Sequence, residues 1–164
     1  MAYSRKKVVN QAKSWLGCKQ GDKVHKSIID LYNKKTSGYN MTYNDPWCAC
    51  FVSAVAIKCG YTKIIPTSVN CGDMMNKFKK LGCWVENDAH KPKAGDIIFY
   101  DWNDSGKGDN MGSPDHVGIV EKVKGKTITV IEGNKGTTRT CARRTMSING
   151  RYIRGYGTPK YTVS

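Results

Sequence analysis

The spacing of apolar residues changes near the middle of the chain, and this change constrains the fold more than any other feature. Apolar residues recur at helical spacing in the first half, whereas segments rich in β-branched and aromatic residues follow in the second. The predicted helices cover residues 8–16, about 22–32, 45–59 and 68–81. The predicted strands cover residues 96–102, 116–123, 127–132, 141–146 and 151–156. Helices followed by successive antiparallel strands favour an α+β domain, with N-terminal helices packed on an antiparallel sheet of about five strands.

The 164 residues suit a single domain, 1–164, that can bury a core. They include 27 Lys and Arg against 13 Asp and Glu, a net charge of +14, which favours association with polyanions. A basic nucleic-acid-binding domain is therefore an alternative of another class, but no usual nucleic-acid-binding motif is present and we expect no such partner. No apolar run approaches the ~18 residues of a membrane span, so we expect none.

The cysteines predict free thiols rather than a disulfide framework. Their number, seven, is odd, and the basic N-terminus lacks the apolar segment of a signal peptide. We therefore expect synthesis in a reducing cytoplasm without a signal peptide. No C-x-x-C pair is present, so a zinc site is not expected.

Cys48 is the candidate nucleophile. Asp45 and Pro46 are residues favoured at a helix start, and Gly60 is favoured just past a helix end, so the third helix should begin at Asp45-Pro46. Cys48 would then lie in the first helical turn, where free N–H groups and the helix dipole lower a thiol pKa. Cys50 lies deeper in the helix and gains less. We expect the other five cysteines to be small buried apolar residues.

His116 is the candidate base, since it opens a predicted strand, whereas the other two histidines are expected at the surface. We expect a three-residue turn with Gly125 in the left-handed conformation, which pairs Lys122 with Lys126. Counting outward from that pair places His116 directly opposite Glu132, with Cβ atoms ~5 Å apart.

Two alternatives for this hairpin stay open. Asn134 would face the same side as Glu132 if the strand continues, so either residue could orient the His116 imidazole. A two-residue turn would instead place His116 and Glu132 on opposite faces of the sheet.

Four pieces of the sequence together resemble the CHAP family, the cysteine, histidine-dependent amidohydrolases/peptidases, and especially the catalytic domains of phage endolysins. They occur in the family's order between about Asp45 and Tyr156. The pieces are Trp47-Cys48-Ala49 with Phe51-Val52, residues 92–99 (PKAGDIIF), residues 115–120 (DHVGIV) and residues 131–134 (IEGN). The related NlpC-type peptidases usually have Asp-Cys-Ser at the nucleophile, whereas this chain has Trp-Cys-Ala.

The resemblance implies a papain-like α+β fold with Cys48 as nucleophile, His116 as general base and then acid, and Glu132 or Asn134 as the group that orients His116. It implies hydrolysis of an amide in peptidoglycan through a thioester acyl-enzyme, after the protein reaches the wall by release or cell lysis. The alternatives are an NlpC-type wall peptidase and an antibacterial wall-degrading toxin. The basic surface could also bind anionic wall polymers.

We expect no cofactor and no metal. The loop from Asp101 to Asp109 follows part of the EF-hand spacing, but Gly112 stands where that motif has its bidentate Glu. A loop that borders the cleft is the preferred interpretation. Trp47, Tyr100 and Trp102 could line a groove for sugar or peptide, or could equally be core aromatics.

Overall fold

The computed structural model describes residues 2–105 and 110–164. In these residues, four helices are followed by six strands. The helices are α1 (Arg5–Ser14), α2 (Lys23–Lys35), α3 (Cys48–Cys59) and α4 (Cys71–Lys80). The strands are β1 (Trp84–Val85), β2 (Ile97–Tyr100), β3 (His116–Lys124), β4 (Thr127–Lys135), β5 (Thr140–Ser147) and β6 (Ile153–Gly157). The α+β prediction is confirmed.

The strands form one antiparallel sheet in the order β1-β6-β2-β3-β4-β5. The sequence predicted five of these strands and missed β1, because two residues are too few to show an alternating pattern. The two central hairpin strands, β3 and β4, carry the candidate base and the candidate orienting residues.

Helix α3 lies at the centre of the main apolar core. Ten of its twelve residues are buried, and it packs against α1, α2, β3 and β4. A helix that is apolar on all sides is expected to be enclosed in this way. A second, smaller apolar cluster covers the other face of the sheet and includes Ile98, Tyr100 and Val130.

The predicted start of α3 is wrong by two residues. The helix begins at Cys48, with Trp47 as a cap residue whose side chain makes no capping bond. The Asp45 carboxylate instead accepts hydrogen bonds from the Thr42 backbone N–H and the Tyr39 hydroxyl, which holds the preceding loop. The predicted end is confirmed, since Gly60 adopts the left-handed conformation with φ of 76°.

All seven cysteines are buried, and none forms a disulfide. Within residues 2–105 and 110–164, no helix is long and apolar enough to cross a membrane. The expected position of His25 is wrong: it is fully buried, where its Nδ1 accepts a hydrogen bond from the Gly21 backbone N–H and its ring packs edge-on against Trp47.

Candidate active site

Cys48 is the first residue of α3, and its side chain is almost completely enclosed. Its Sγ lies 3.7 Å from the Sγ of Cys71, which is the first residue of α4. The Cys71 thiol is the main cause that holds the pKa of Cys48 well below its ordinary value of 9.0. Burial opposes this shift, whereas His116 and the Ala49 backbone N–H reinforce it. The site therefore favours a thiolate at Cys48.

His116 is the first residue of β3, where it pairs with Tyr100 of β2. Its Nε2 lies 3.0 Å from Oε1 of Glu132, and it is close enough to Cys48 for each residue to shift the pKa of the other. Because Nε2 faces Glu132, Nδ1 is the nitrogen left for the sulfur. Burial would lower the pKa of His116, but the bonds to Cys48 and Glu132 raise it to about 9. The histidine is therefore held as an imidazolium next to the thiolate.

The β3–β4 hairpin brings His116 and Glu132 together by a register different from the predicted one. The turn has two residues rather than three, since Lys124 pairs with Thr127, although Gly125 is left-handed as expected. A two-residue turn alone would separate the two side chains. A β-bulge at Glu121 shifts the register by one residue and returns His116 and Glu132 to the same face.

Gly118 gives the Glu132 side chain room to reach His116. A Cβ atom at position 118 would lie 2.8 Å from Cγ of Glu132 and 2.6 Å from Cγ1 of Val130. Both contacts are too short for a real side chain. The absence of a side chain at Gly118 therefore lets Glu132 lie across β3 toward the histidine.

Glu132 is a fully buried carboxylate, and among the described residues it is hydrogen-bonded to two basic side chains. Besides His116, it accepts hydrogen bonds from Nε of Arg144 on β5, at 3.0 Å to Oε1 and 2.9 Å to Oε2. Burial raises the pKa of Glu132, but the bonds from His116 and Arg144 outweigh burial and lower the pKa below its ordinary value. The carboxylate is thus held in its charged form.

Asn134, the other candidate for orienting the histidine, takes a different position. Its backbone is left-handed with φ of 58°, and the β4–β5 register shifts between Glu132 and Lys135. Its Oδ1 is buried and has no hydrogen-bond partner among the described residues. Of the two candidates, the structure therefore joins Glu132 to His116 by a hydrogen bond.

The sequence did not single out Cys71 or Arg144. Cys71 was expected to be an ordinary buried thiol, in a helix predicted to start at Ser68. The helix instead starts at Cys71, and the Asn70 side-chain oxygen caps it by accepting a hydrogen bond from the Asp73 backbone N–H. Arg144 reaches Glu132 only because β5 lies beside β4. The capping preference of Asn70 is a signal that could have placed Cys71 at a helix start.

Two aromatic side chains flank the histidine. Tyr100 and Trp102 stack with centroids 4.9 Å apart, and each ring lies 5.9 Å from the His116 ring. Tyr100 is buried, whereas Trp102 is 38% exposed. Trp47 is fully buried and belongs to the core, so of the three aromatics considered only Trp102 presents an exposed surface.

A thiolate, an imidazolium and a buried carboxylate in series have the geometry used for nucleophilic attack on a carbonyl carbon. In the described parts of the chain, no group of three or more His, Cys, Asp or Glu side chains could hold a metal ion. The calcium-like loop considered from the sequence lies partly outside the described residues, at positions 106–109.

The chain was compared with known families and structures. The model of the CHAP domain matches residues 38–134, and no curated protein sequence matches the chain. The crystal structure of Ly7917 is similar with a TM-score of 0.56 and 18% identity, over 95% of this chain and 62% of that one. The crystal structure of Ly7917 with the hydrolyzing product of MDP gives a TM-score of 0.50 and 18% identity, over 95% and 63%.

The chain thus spans less than two thirds of the length of Ly7917, and at this identity the likeness concerns the fold. The family match is more extensive evidence, because it covers over half of the chain and includes Cys48, His116 and Glu132. On that match, this protein belongs to the CHAP family.

Proposed function

We propose that the protein is a cysteine hydrolase that cleaves an amide bond of peptidoglycan. The observation that carries this proposal is the buried arrangement of Cys48, His116 and Glu132, in which His116 is hydrogen-bonded to Glu132 and lowers the pKa of Cys48. Its parts match the needs of amide hydrolysis: an activated sulfur, a proton donor and a group that fixes the donor.

In the proposed reaction, the Cys48 thiolate attacks the amide carbonyl carbon. The backbone N–H of Cys48, at the helix start, donates a hydrogen bond to the oxygen that becomes negative. His116 gives its proton to the leaving amine, which leaves a thioester on Cys48. The now neutral His116 takes a proton from water, and the resulting attack on the thioester releases the acid and restores the thiolate.

Peptidoglycan is proposed as substrate on two grounds. The CHAP family match makes wall amides the expected bonds, and a similar fold, Ly7917, was solved with the hydrolyzing product of MDP. An N-acetylmuramoyl-L-alanine amidase or an endopeptidase, of the kind found in phage endolysins, fits the site.

The direct test is the loss of turbidity of purified Gram-positive walls, with mass spectrometry of the released fragments to name the bond. Wild-type protein should lyse the walls, and Cys48→Ala should not. Cys50→Ala is the matched control, because Cys50 is buried two residues away and burial, with the Cys48 charge, raises its pKa to about 12. Lysis by Cys48→Ala would contradict the proposed mechanism.

The net charge of +14 supports a role for anionic wall polymers in targeting. Binding to intact walls should then weaken as salt rises, because salt screens exposed charges. Equal binding of the Cys48→Ala protein at low and high salt would rule out charge-driven targeting.

A further inference from the structure

We propose that Arg144 is a positioning residue for the reaction, which acts by holding Glu132 charged and oriented toward His116. This inference rests on the proposed function, and it adds a fourth member to the series of Cys48, His116 and Glu132. Arg144 lies on β5, the strand next to the one that carries Glu132.

The contact between Arg144 and Glu132 fixes the plane of the carboxylate. Nε of Arg144 lies within hydrogen-bond distance of both carboxylate oxygens, and Oε1 is shared with Nε2 of His116. Glu132 has no exposed surface, so water cannot replace a missing partner without a rearrangement. A buried carboxylate that loses one of its two charged partners is held less firmly in its charged form and in its orientation.

The guanidinium of Arg144 is itself held by the aromatic pair that flanks the histidine. Its Cζ lies 5.0 Å from the ring centroid of Trp102 and 5.8 Å from that of Tyr100. Both rings also lie beside His116. The two rings therefore contact both Arg144 and His116, while Arg144 also acts on His116 through Glu132.

Loss of this support has a defined electrostatic consequence. A protonated or displaced Glu132 stabilises the His116 imidazolium less, so the pKa of His116 falls. A less charged His116 in turn stabilises the Cys48 thiolate less, so the pKa of Cys48 rises. The range of pH in which the thiolate and the imidazolium coexist becomes narrower at both ends.

The neighbouring residue supplies a matched control. Arg143 also pairs with a glutamate, with 2.7 Å between its Nε and Oε1 of Glu121. Its side chain is 48% exposed, and as the adjacent residue on β5 it points to the opposite face of the sheet. Among the described residues, Arg143 bonds to Glu121 and not to Glu132 or His116, so Arg143→Met changes the same residue type on the same strand outside the site.

The test uses Arg144→Met, Arg144→Lys and Arg143→Met, each checked for folding by circular dichroism. The rate of Cys48 carbamidomethylation by iodoacetamide, followed by peptide mass spectrometry across pH, reports the thiolate without any substrate. We expect Arg144→Met to move the onset of Cys48 labelling upward by about one pH unit. Below the onset, this shift makes labelling about tenfold slower. Arg144→Lys should recover part of this shift, and Arg143→Met should match wild type.

Wall lysis gives the second readout. The alkaline fall in the lysis rate should occur at lower pH for Arg144→Met than for wild type and for Arg143→Met. The proposal would be overturned if folded Arg144→Met and Arg144→Lys had the same labelling and lysis profiles as wild type. It would also be overturned if Arg143→Met shifted these profiles as much as Arg144→Met does. If wild type lysed no walls while the labelling onset still shifted, the role of Arg144 would stand and the proposed substrate would fail. If Arg144→Met does not fold, the labelling onset of Arg144→Lys decides.

Discussion

The protein contains two pairs of buried cysteines in which one thiol lowers the pKa of the other, and only one pair is part of the candidate active site. Cys71 lowers the pKa of Cys48, and Cys141 in the same way is the main cause that lowers the pKa of Cys18. All four residues are at most 8% exposed. A partner thiol is therefore not what distinguishes the proposed nucleophile.

The surroundings of the two pairs differ. Cys48 begins helix α3, where His116 helps to lower its pKa, whereas Cys18 lies in the connection between α1 and α2, where the negative charge of Asp22 opposes the lowering of its pKa. A stabilised sulfur becomes a nucleophile for amides only with a proton donor beside it. Changes to His116 or Cys71 should therefore make Cys48 behave more like Cys18.

Replacement of the histidine should have the largest effect. His116→Gln leaves Cys48 with its partner thiol and helix position but without a proton donor, so wall lysis should fall by about 10²- to 10⁴-fold. Labelling of Cys48 below neutral pH should also fall toward that of Cys18. Wild-type lysis rates for His116→Gln would show that the histidine contact is not what separates the two pairs.

The pH dependence of lysis should show both members of the Cys48–His116 pair. Cys48 must be deprotonated, and its pKa lies well below 9.0, so activity should rise from acid pH to a plateau. His116 must be protonated to release the amine, so activity should fall above its pKa of about 9. Beyond each limit the rate should change about tenfold per pH unit. Initial lysis rates at constant ionic strength measure this, and an alkaline fall near 6.5 would mean that Cys48 and Glu132 do not perturb the histidine.

Loss of the partner thiol should have the smallest effect of the three. Cys71→Ala removes the main hydrogen bond to the Cys48 sulfur, so below the labelling onset Cys48 should react about tenfold more slowly. Cys141→Ala is the matched control and should leave Cys48 unchanged. A Cys48 labelling profile that is the same in both variants would remove Cys71 from the account.

Local sequence signals predicted the fold class and Cys48 as the first-turn cysteine. The change of apolar spacing and the Gly60 helix end are both set by residues close in sequence. Tertiary contacts therefore did not alter these two predictions. The start of α3 was misplaced because Asp45 and Pro46 are residues favoured at a helix start. In the structure, the Asp45 carboxylate accepts a hydrogen bond from the Thr42 N–H in the preceding loop and does not cap the helix.

The contacts of the site depend on register and strand order, which the sequence encodes less directly. His116 and Glu132 share a face because two deviations from the predicted hairpin compensate: a shorter turn and a bulge at Glu121. Neither the bulge nor the position of Arg144 beside Glu132 follows from the periodicity of a single strand. Cys71 reaches Cys48 only because the starts of two helices meet.

We expect Cys48, with His116 beside it, to be the most reactive of the seven thiols. Substoichiometric iodoacetamide at about pH 6, followed by peptide mass spectrometry, ranks all seven in one native sample. We predict that Cys48 is carbamidomethylated first, and that His116→Gln reduces this preference. Labelling of Cys18 before Cys48, or no labelling of Cys48 until the pH nears the ordinary thiol value of 9.0, would contradict it.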